Sequence, residues 1–545
     1  MKKKVLVLLL IAAMILSLAA CAKTQETSKP AETQQTTEPA KEEVGKASDK
    51  VEGVNVEEKV EEGKKYKEHV NLSVWANASS ADPAIYNGTP ATVIYNLFRN
   101  QLINLNEEEN VFEPELAESW EVTDLRTAKF TLKQGIKFHN GEEVTSEDVK
   151  YSLLDRPATV EGATVNFFKK IDNIEIVDKY NFIIHLNQND PEMLYTLKDS
   201  GYSILNKKAC EESEDGYLIG TGGYKVISWA PGDKMELEKF DESYVWAEEG
   251  DTPTRSITMK CMVEGSIAAV QAGEVANALC EREDVENYLS SDPNVVTHTF
   301  RTWGIWMIGL NQHEGSVFHD DPNLKYAVVH AFDREMMAEF YAGQNAKTFD
   351  SFFPEYMYGY TNEFEFAKFD LDLAKDYLSK SKHPDGNVTI RVLTHSNPNY
   401  TPQVTVLQSI LEGNLGVKID ITQLDSAGRN AALAEGTSYD IYMMDITGAP
   451  YGSRLQNRFI EGNNNNWVHY TNEEINQCYE TYFQSEDEAE KLAALRRVQE
   501  IEAEELVYVP YAYMVTNVVM AKGVSGLNWK TSTQFDFHRV VWEED

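Results

Sequence analysis

The sequence is poor in cysteine, with five in 545 residues. That excludes a disulfide scaffold and leaves burial of apolar surface to hold the fold. Four of the five, Cys210, Cys261, Cys280 and Cys478, lie in the body of the chain, and spacing decides neither whether they pair nor how. Cationic residues are also short: 50 Lys and Arg face 88 Asp and Glu, a net charge of −38. Nucleic-acid binding is driven by neutralising phosphates, so a surface of this sign argues against any nucleic-acid partner. No apolar run reaches the roughly 20 residues a membrane-spanning helix needs. Catalytic signatures are missing as well: there is no Gly-x-Ser-x-Gly elbow, His-Glu-x-x-His, Walker loop, Cys-x-x-Cys pair or dinucleotide fingerprint. Gly220-Thr221-Gly222-Gly223 is glycine-rich, but it lacks the Lys-Ser/Thr ending of a phosphate loop and runs on into Tyr224-Lys225-Val226 as a turn before a strand. His313 and His319, beside Asp320 and Asp321, form the only cluster with metal-type ligands, and it reads as a solvated loop and helix cap. No metal, cofactor or catalytic residue is expected.

What is present begins at the N-terminus. Met1-Lys2-Lys3-Lys4 is a basic head, followed by the apolar run Val5 to Leu16, too short to span and of the length of a secretion signal. Leu18-Ala19-Ala20-Cys21 closes it and resembles the bacterial lipobox, which predicts a signal peptide over residues 1–20 and lipidation of Cys21. Two acyl chains, at about 0.8 kcal/mol per buried CH₂, anchor a protein stably where one would not. From Ala22 to Lys65 there is no aromatic residue, and Thr, Gln, Glu, Lys, Ala and Pro dominate. Such a composition buries too little apolar area to offset ordering, so residues 21–65 are expected to be a disordered tether with a reach of roughly 35 to 40 Å. The expected location is the extracellular face of the cell membrane, or the periplasmic side if the host has an outer membrane.

The rest of the chain has the apolar content of a globular protein and the length of about three or four folding units. Period-two alternation predicts strands at 71–75, 129–132, 182–186 and 417–421. Thr145 with Asp148 forms a capping box ahead of Val149 and Leu153. Asp320-Asp321-Pro322 opens a helix with Leu324, Ala327, Val328 and Ala331 on one stripe. Helices are also predicted over 403–415, stopped by Gly416, and over 486–505, after which Val507 to Tyr511 turns extended. The fold class is α/β, with no fixed-period repeat.

Ordered motifs through this body resemble one family. Pro114-Glu115-Leu116-Ala117-Glu118-Ser119-Trp120-Glu121-Val122 leads into Phe130-Thr131-Leu132-Lys133-Gln134-Gly135-Ile136-Lys137-Phe138-His139-Asn140-Gly141 and Thr145-Ser146-Glu147-Asp148-Val149. Gly220 to Lys225, Ala230-Pro231-Gly232-Asp233-Lys234, Ala331-Phe332-Asp333-Arg334-Glu335, Tyr439-Asp440-Ile441 and Asn463 to Trp467 continue the match. Together they resemble the family 5 solute-binding proteins, the oligopeptide and dipeptide receptors of ATP-binding-cassette (ABC) importers. The resemblance implies a two-lobed periplasmic-binding-protein-like fold of the class II type. Lobe one is expected at 66–96, 218–309 and 510–545, an extra domain inserted in it at 97–217, and lobe two at 310–509, with hinges near Leu310 and Pro510. It implies an importer's receptor that closes on a peptide and hands it to permease subunits, with no enzymatic activity; another solute of the family, an oligosaccharide or less readily nickel or a chelate, is the alternative.

The resemblance also indicates where the solute sits. In peptide-binding relatives a Trp and an Asp follow the Tyr-Asp strand, the Asp pairing with the ligand's free amine; this sequence carries Ile446 and Ala449 at those places, so the amine anchor is missing. Expected ligand-binding residues are Trp303, Trp306, Asp445, Thr447, Gly448, Ala449, Tyr451, Trp467, Tyr511 and Tyr513. Trp303 and Trp306, three apart in a strand, should face opposite sides, whereas Tyr511 and Tyr513 should share one face. Trp303, Trp306, Trp467 and Tyr451 would be the stacking platform for an oligosaccharide.

Overall fold

The computed structural model describes residues 54–544 apart from 57–59, 62, 77, 87–88, 108–109, 162–165, 263, 349–350, 398, 447–451 and 531–534. The signal segment, Cys21 and most of the expected tether lie outside the described residues. At its end the tether expectation is revised. Val54–Val56 is a strand paired antiparallel with Leu527–Trp529, and Tyr66 bridges Glu543. Two β-branched valines favour a strand even inside a charged stretch.

Lobe-one residues build a four-stranded sheet in the order His69–Val74, Ser256–Cys261, Lys234–Lys239, Tyr224–Ala230. Val70, Leu72, Met235, Leu237, Ile257 and Met259 alternate inward from it. The chain leaves this core after Phe98 and enters a second one at Leu102. There, Ala117–Asp124, Thr127–Leu132, Asn181–Leu186 and Ile171–Ile176 form an antiparallel sheet. Phe130 and Phe182 stack across it at 5.4 Å. The capping box at Thr145 is formed, its backbone N–H donating to Asp148 at 3.0 Å, and opens the helix Ser146–Lys150. The chain returns through Gly220-Thr221-Gly222-Gly223. A Cβ at Gly220 would lie 1.8 Å from the Phe98 carbonyl oxygen, so these glycines serve close packing of a turn.

Lobe two is carried by the far half of a six-stranded sheet, ordered Asn277–Cys280, Tyr508–Ala521, Val295–Leu310, Ile441–Ile446, Thr389–His395, Lys418–Leu424. Helices cover both of its faces. Trp306, Ile308, Leu310, Ile441 and Met443 point to one side, against Pro322–Ala331 and Thr401–Leu415. Ile305, Met307, Tyr442 and Met444 point to the other, against Glu473–Gln484 and Glu488–Glu505. Gly416 ends its helix in the left-handed conformation, φ 70°, as the sequence pattern implies.

The strands Val295–Leu310 and Tyr508–Ala521 pair antiparallel along their length and belong to both lobes. Phe300 and Val518 pack in the lobe-one core, Ile305 and Tyr513 in a lobe-two core. The change of core therefore falls inside both strands, at 301–304 and 514–517, and not at Leu310 and Pro510, which are buried well within lobe two. Register slips at the first of these points: Arg301 pairs with Val515 and Ile305 with Tyr513, so the first strand carries two extra residues there.

In the helix Glu488–Glu505, Glu502 is fully buried, and neither carboxylate oxygen has a hydrogen-bond partner. Burial pushes its carboxyl well above the usual range; the Lys325 charge opposes this and Glu505 adds to it. An acid whose folded pKa is raised keeps its full stability below the unfolded value of about 4.5 and loses it as pH climbs. Glu502→Gln is expected to leave the urea midpoint unchanged at pH 4.5 and to stabilise the protein by about 1 to 3 kcal/mol at pH 8. An identical shift at both pH values would show that Glu502 is ionised throughout.

Candidate ligand cleft

The residues at the strand crossing come from both lobes. Trp303 sits in the bulge, 6% exposed, its ring stacked on Tyr356 at 4.9 Å and 14°. The Tyr356 hydroxyl donates to the Trp303 carbonyl, fixing the pair. Lys198, from the inserted domain, places Nζ 5.8 Å from the Trp303 ring centroid and donates to Asp199 at 2.8 Å. Tyr513, one strand over, accepts at its hydroxyl from the Glu355 N–H at 3.0 Å, and Lys347 pairs with Glu355 at 2.8 Å. Burial and then the Glu355 charge raise the Tyr513 pKa. This hydroxyl is therefore a neutral donor or acceptor at physiological pH.

Trp306 and Tyr511 take a different position from the one expected. Trp306 is 2% exposed in the lobe-two core, with Tyr400 at 4.8 Å and Tyr341 at 5.5 Å. Tyr511 lies in the same core and donates to Gln403 Oε1 at 2.7 Å. It does not share a face with Tyr513. Trp306 pairs with Ala512 and Met307 with Pro510, so Tyr511 is a bulged residue without an opposite number, and the alternation flips across it. Asp445, half-buried on the strand beside Trp306, accepts from the Tyr400 hydroxyl.

Trp467 stands elsewhere. Its Nε1 donates to the Asn464 carbonyl at 2.9 Å, and the Arg458 guanidinium lies 3.6 Å over its ring. The adjoining Val468 packs on Gly309, six residues beyond Trp303, or roughly 20 Å along a strand. Asn463, Asn464 and Asn466 line a separate cavity of about 420 Å³ there with His313 and His469. The stacking platform expected for a sugar is thus not assembled by Trp303, Trp306 and Trp467. Among the described residues no group of three or more His, Cys, Asp or Glu could hold a metal, and the four body cysteines are free thiols.

Thr447, Gly448, Ala449 and Tyr451 lie outside the described residues, but their flanks are placed. The Ile446 carbonyl lies 3.2 Å from a Cβ built on Gly304, in the bulge. Gly452 abuts Tyr482 and Glu192. Tyr482, in lobe two, donates to Glu192 of the inserted domain at 3.1 Å, both buried, and Asn189 donates to Gln484 at 2.9 Å. A third bridge joins the lobes where Arg282 donates to the Phe340 carbonyl at 3.0 Å. Burial and then the Glu192 charge raise the Tyr482 pKa, which keeps its proton on the bond. Lys198, Tyr356, Glu192 and Tyr482 escaped the sequence reading; only the aromatic density of Tyr356-Met357-Tyr358-Gly359-Tyr360 signalled any of them.

The arrangement has known counterparts. The model of the bacterial extracellular solute-binding proteins, family 5 Middle, matches residues 111–465. The glutathione-binding protein GsiB of Salmonella typhimurium is 24% identical over 86% of this chain and 93% of its own. The periplasmic oligopeptide-binding protein OppA of Haemophilus influenzae is 23% identical over 84% and 91%. Among solved structures, the ABC transporter substrate-binding protein CtaP of Listeria monocytogenes superposes with a TM-score of 0.78 at 18% identity, over 88% of this chain and 100% of its own. Two lobes joined by paired continuous strands, with a binding family's signature through most of their length, make this chain a member of the family 5 bacterial extracellular solute-binding proteins, a binder of solutes and not an enzyme.

Proposed function

We propose that this chain is the receptor of an ABC importer, held at the outer face of the cell membrane by lipid on Cys21, which captures peptides between its lobes and delivers them to the permease. The observation that carries it is the pair of strands shared by both lobes, bulged at the crossing, with cleft candidates on either side of the bulge. A solute that touches both lobes stabilises the closed form only by its greater affinity for that form, and the closed shape is what a permease distinguishes. Relatives named for glutathione and oligopeptides support a peptide. An extended peptide is read through backbone hydrogen bonds and hydrated pockets, which suits a cleft flanked by sheet. Ile446 and Ala449, in place of the expected Trp and Asp, favour a second reading in which the same transport role serves a non-peptide solute.

Calorimetric titration of the mature lipoprotein in detergent with pooled di- to hexapeptides is expected to show saturable binding at micromolar Kd or better, with a smaller radius of gyration in solution scattering. Heat from a non-peptide solute alone would transfer the proposal to that solute. Cys21→Ser is expected to release the protein from the membrane pellet into the soluble fraction; a variant still sedimenting with membranes would refute the lipid anchor.

A further inference from the structure

One strong cation at the crossing has no carboxylate partner among the described residues. Arg301 occupies the strand Val295–Leu310 immediately before the bulge, opposite Val515. Phe300, its neighbour, is buried in the lobe-one core, so Arg301 projects from the other face. The residue is half-buried, and its Nη1 is shielded from solvent with no hydrogen-bond partner. Among the described residues no carboxylate pairs with it. Its charge reaches Tyr513, where it opposes the rise in pKa that burial causes. Glu355, whose backbone N–H donates to the Tyr513 hydroxyl, has its carboxylate engaged by Lys347 at 2.8 Å. Two positions on, Trp303 faces Lys198, whose own partner is Asp199.

Around the Trp303–Tyr356 stack, then, Lys198 and Lys347 hold the carboxylates of Asp199 and Glu355, and Arg301 is left without a carboxylate among the described residues. Three cations gather here in a chain whose net charge is −38. Leaving a shielded guanidinium N–H unsatisfied destabilises the empty protein, and a bound anion relieves that cost. The planar fork matches a carboxylate, which accepts two parallel hydrogen bonds.

We propose that Arg301 anchors a carboxylate of the bound solute, so that this cleft selects for a free carboxylate where an amine anchor is absent at Ala449. The peptide form of this inference rests on the reading above; the carboxylate preference does not.

The test titrates the full mature lipoprotein in detergent with pooled N-acetylated tripeptides as free acids, with the same peptides as C-terminal amides, and with citrate. The acids are expected to bind at least 10-fold more tightly than the amides. Arg301→Gln should weaken the acids by about 10- to 100-fold and leave the amides unchanged. Arg301→Lys, which keeps charge but loses the fork, should fall between; it carries the test alone if the glutamine variant does not fold. Equal binding of acids and amides, or equal weakening of both, overturns the proposal. Arg301-dependent binding of citrate with no peptide binding would remove the peptide reading and leave Arg301 as the anchor. Failure of both carboxylate probes, the free acids and citrate, to bind in an Arg301-dependent way overturns it.

Discussion

Gly452→Val is expected to weaken solute binding by about 30- to 1,000-fold while both lobes stay folded. A Cβ at this position would lie 2.7 Å from Tyr482 Cε1 and 3.0 Å from Glu192 Oε1, the two groups that join lobe two to the inserted domain. Valine adds two methyl groups to that Cβ, and overpacking of this kind costs about 1 to 3 kcal/mol. Prising Tyr482 from Glu192 removes a buried hydrogen bond worth about 0.5 to 1.5 kcal/mol more. The Glu192 contact lies between the lobes, whereas Tyr482 shares lobe two with Gly452; parting the lobes removes the first clash and, by freeing the Tyr482 side chain from Glu192, lets it swing clear of the second. Binding then has to supply the closing energy, and about 2 to 4 kcal/mol of it corresponds to the stated loss of affinity. Calorimetry with the best-binding peptide pool reads the affinity, and solution scattering reads the closure. Tyr482→Phe, which deletes only the hydroxyl, should cost about 3- to 10-fold. Wild-type affinity in Gly452→Val would mean that this contact plays no part in closing the cleft.

That junction was invisible in the sequence, and the reason is physical. Tyr482 and Glu192 are 290 residues apart, Tyr356 and Trp303 53 apart. Nothing local requires either pairing. Local rules did succeed where the cause is local: the capping box at Thr145, the proline start at Pro322 and the glycine stop at Gly416 each mark the end of a helix found in place. Alternation likewise found the strand Asn181–Leu186 and its inward face. It failed at Tyr511, because a bulge depends on how many residues the partner strand places opposite, which a count along one strand omits. The hinges near Leu310 and Pro510 were implied by the resemblance, and a strand that keeps its pairing while changing cores shows no break in hydrophobicity by which the sequence could have moved them. Arg301 is visible in the sequence only as a charge before the apolar stretch from Trp303 to Leu310; that no carboxylate among the described residues pairs with it is a property of the folded chain alone.

The second large effect concerns lobe one and pH. His538 lies between two carboxylates, Nδ1 2.5 Å from Asp536 Oδ1 and Nε2 2.6 Å from Glu249 Oε2. Burial disfavours the charged ring, but Asp536 and Glu249 outweigh it and lift its pKa to about 10. Burial likewise disfavours the Asp536 carboxylate, and His538, with Lys530, pulls it down to about 2. A raised imidazole contributes its full stability below its unfolded pKa of about 6.5 and loses it as pH climbs through 10. The depressed carboxylate contributes above about 3.9 and loses its share as pH falls through 2. The pair is thus most stabilising between about pH 4 and 6.5 and fades on the alkaline side, in the same direction as Glu502. His538→Gln keeps an amide donor but no charge, and is expected to destabilise lobe one by about 2 kcal/mol at pH 6, less than breaking a fully buried ion pair would, because Glu249 and Asp536 are partly exposed. At pH 10 the wild-type ring is losing its proton, and the gap should shrink to about 1 kcal/mol. Trp246, whose ring centroid is 6.1 Å from that of His538, reports the transition by its fluorescence in urea. A gap that stays constant from pH 6 to pH 10 would mean that His538 is uncharged in the folded protein, and that hydrogen bonding alone, without the ion pair, fastens the C-terminal segment to lobe one.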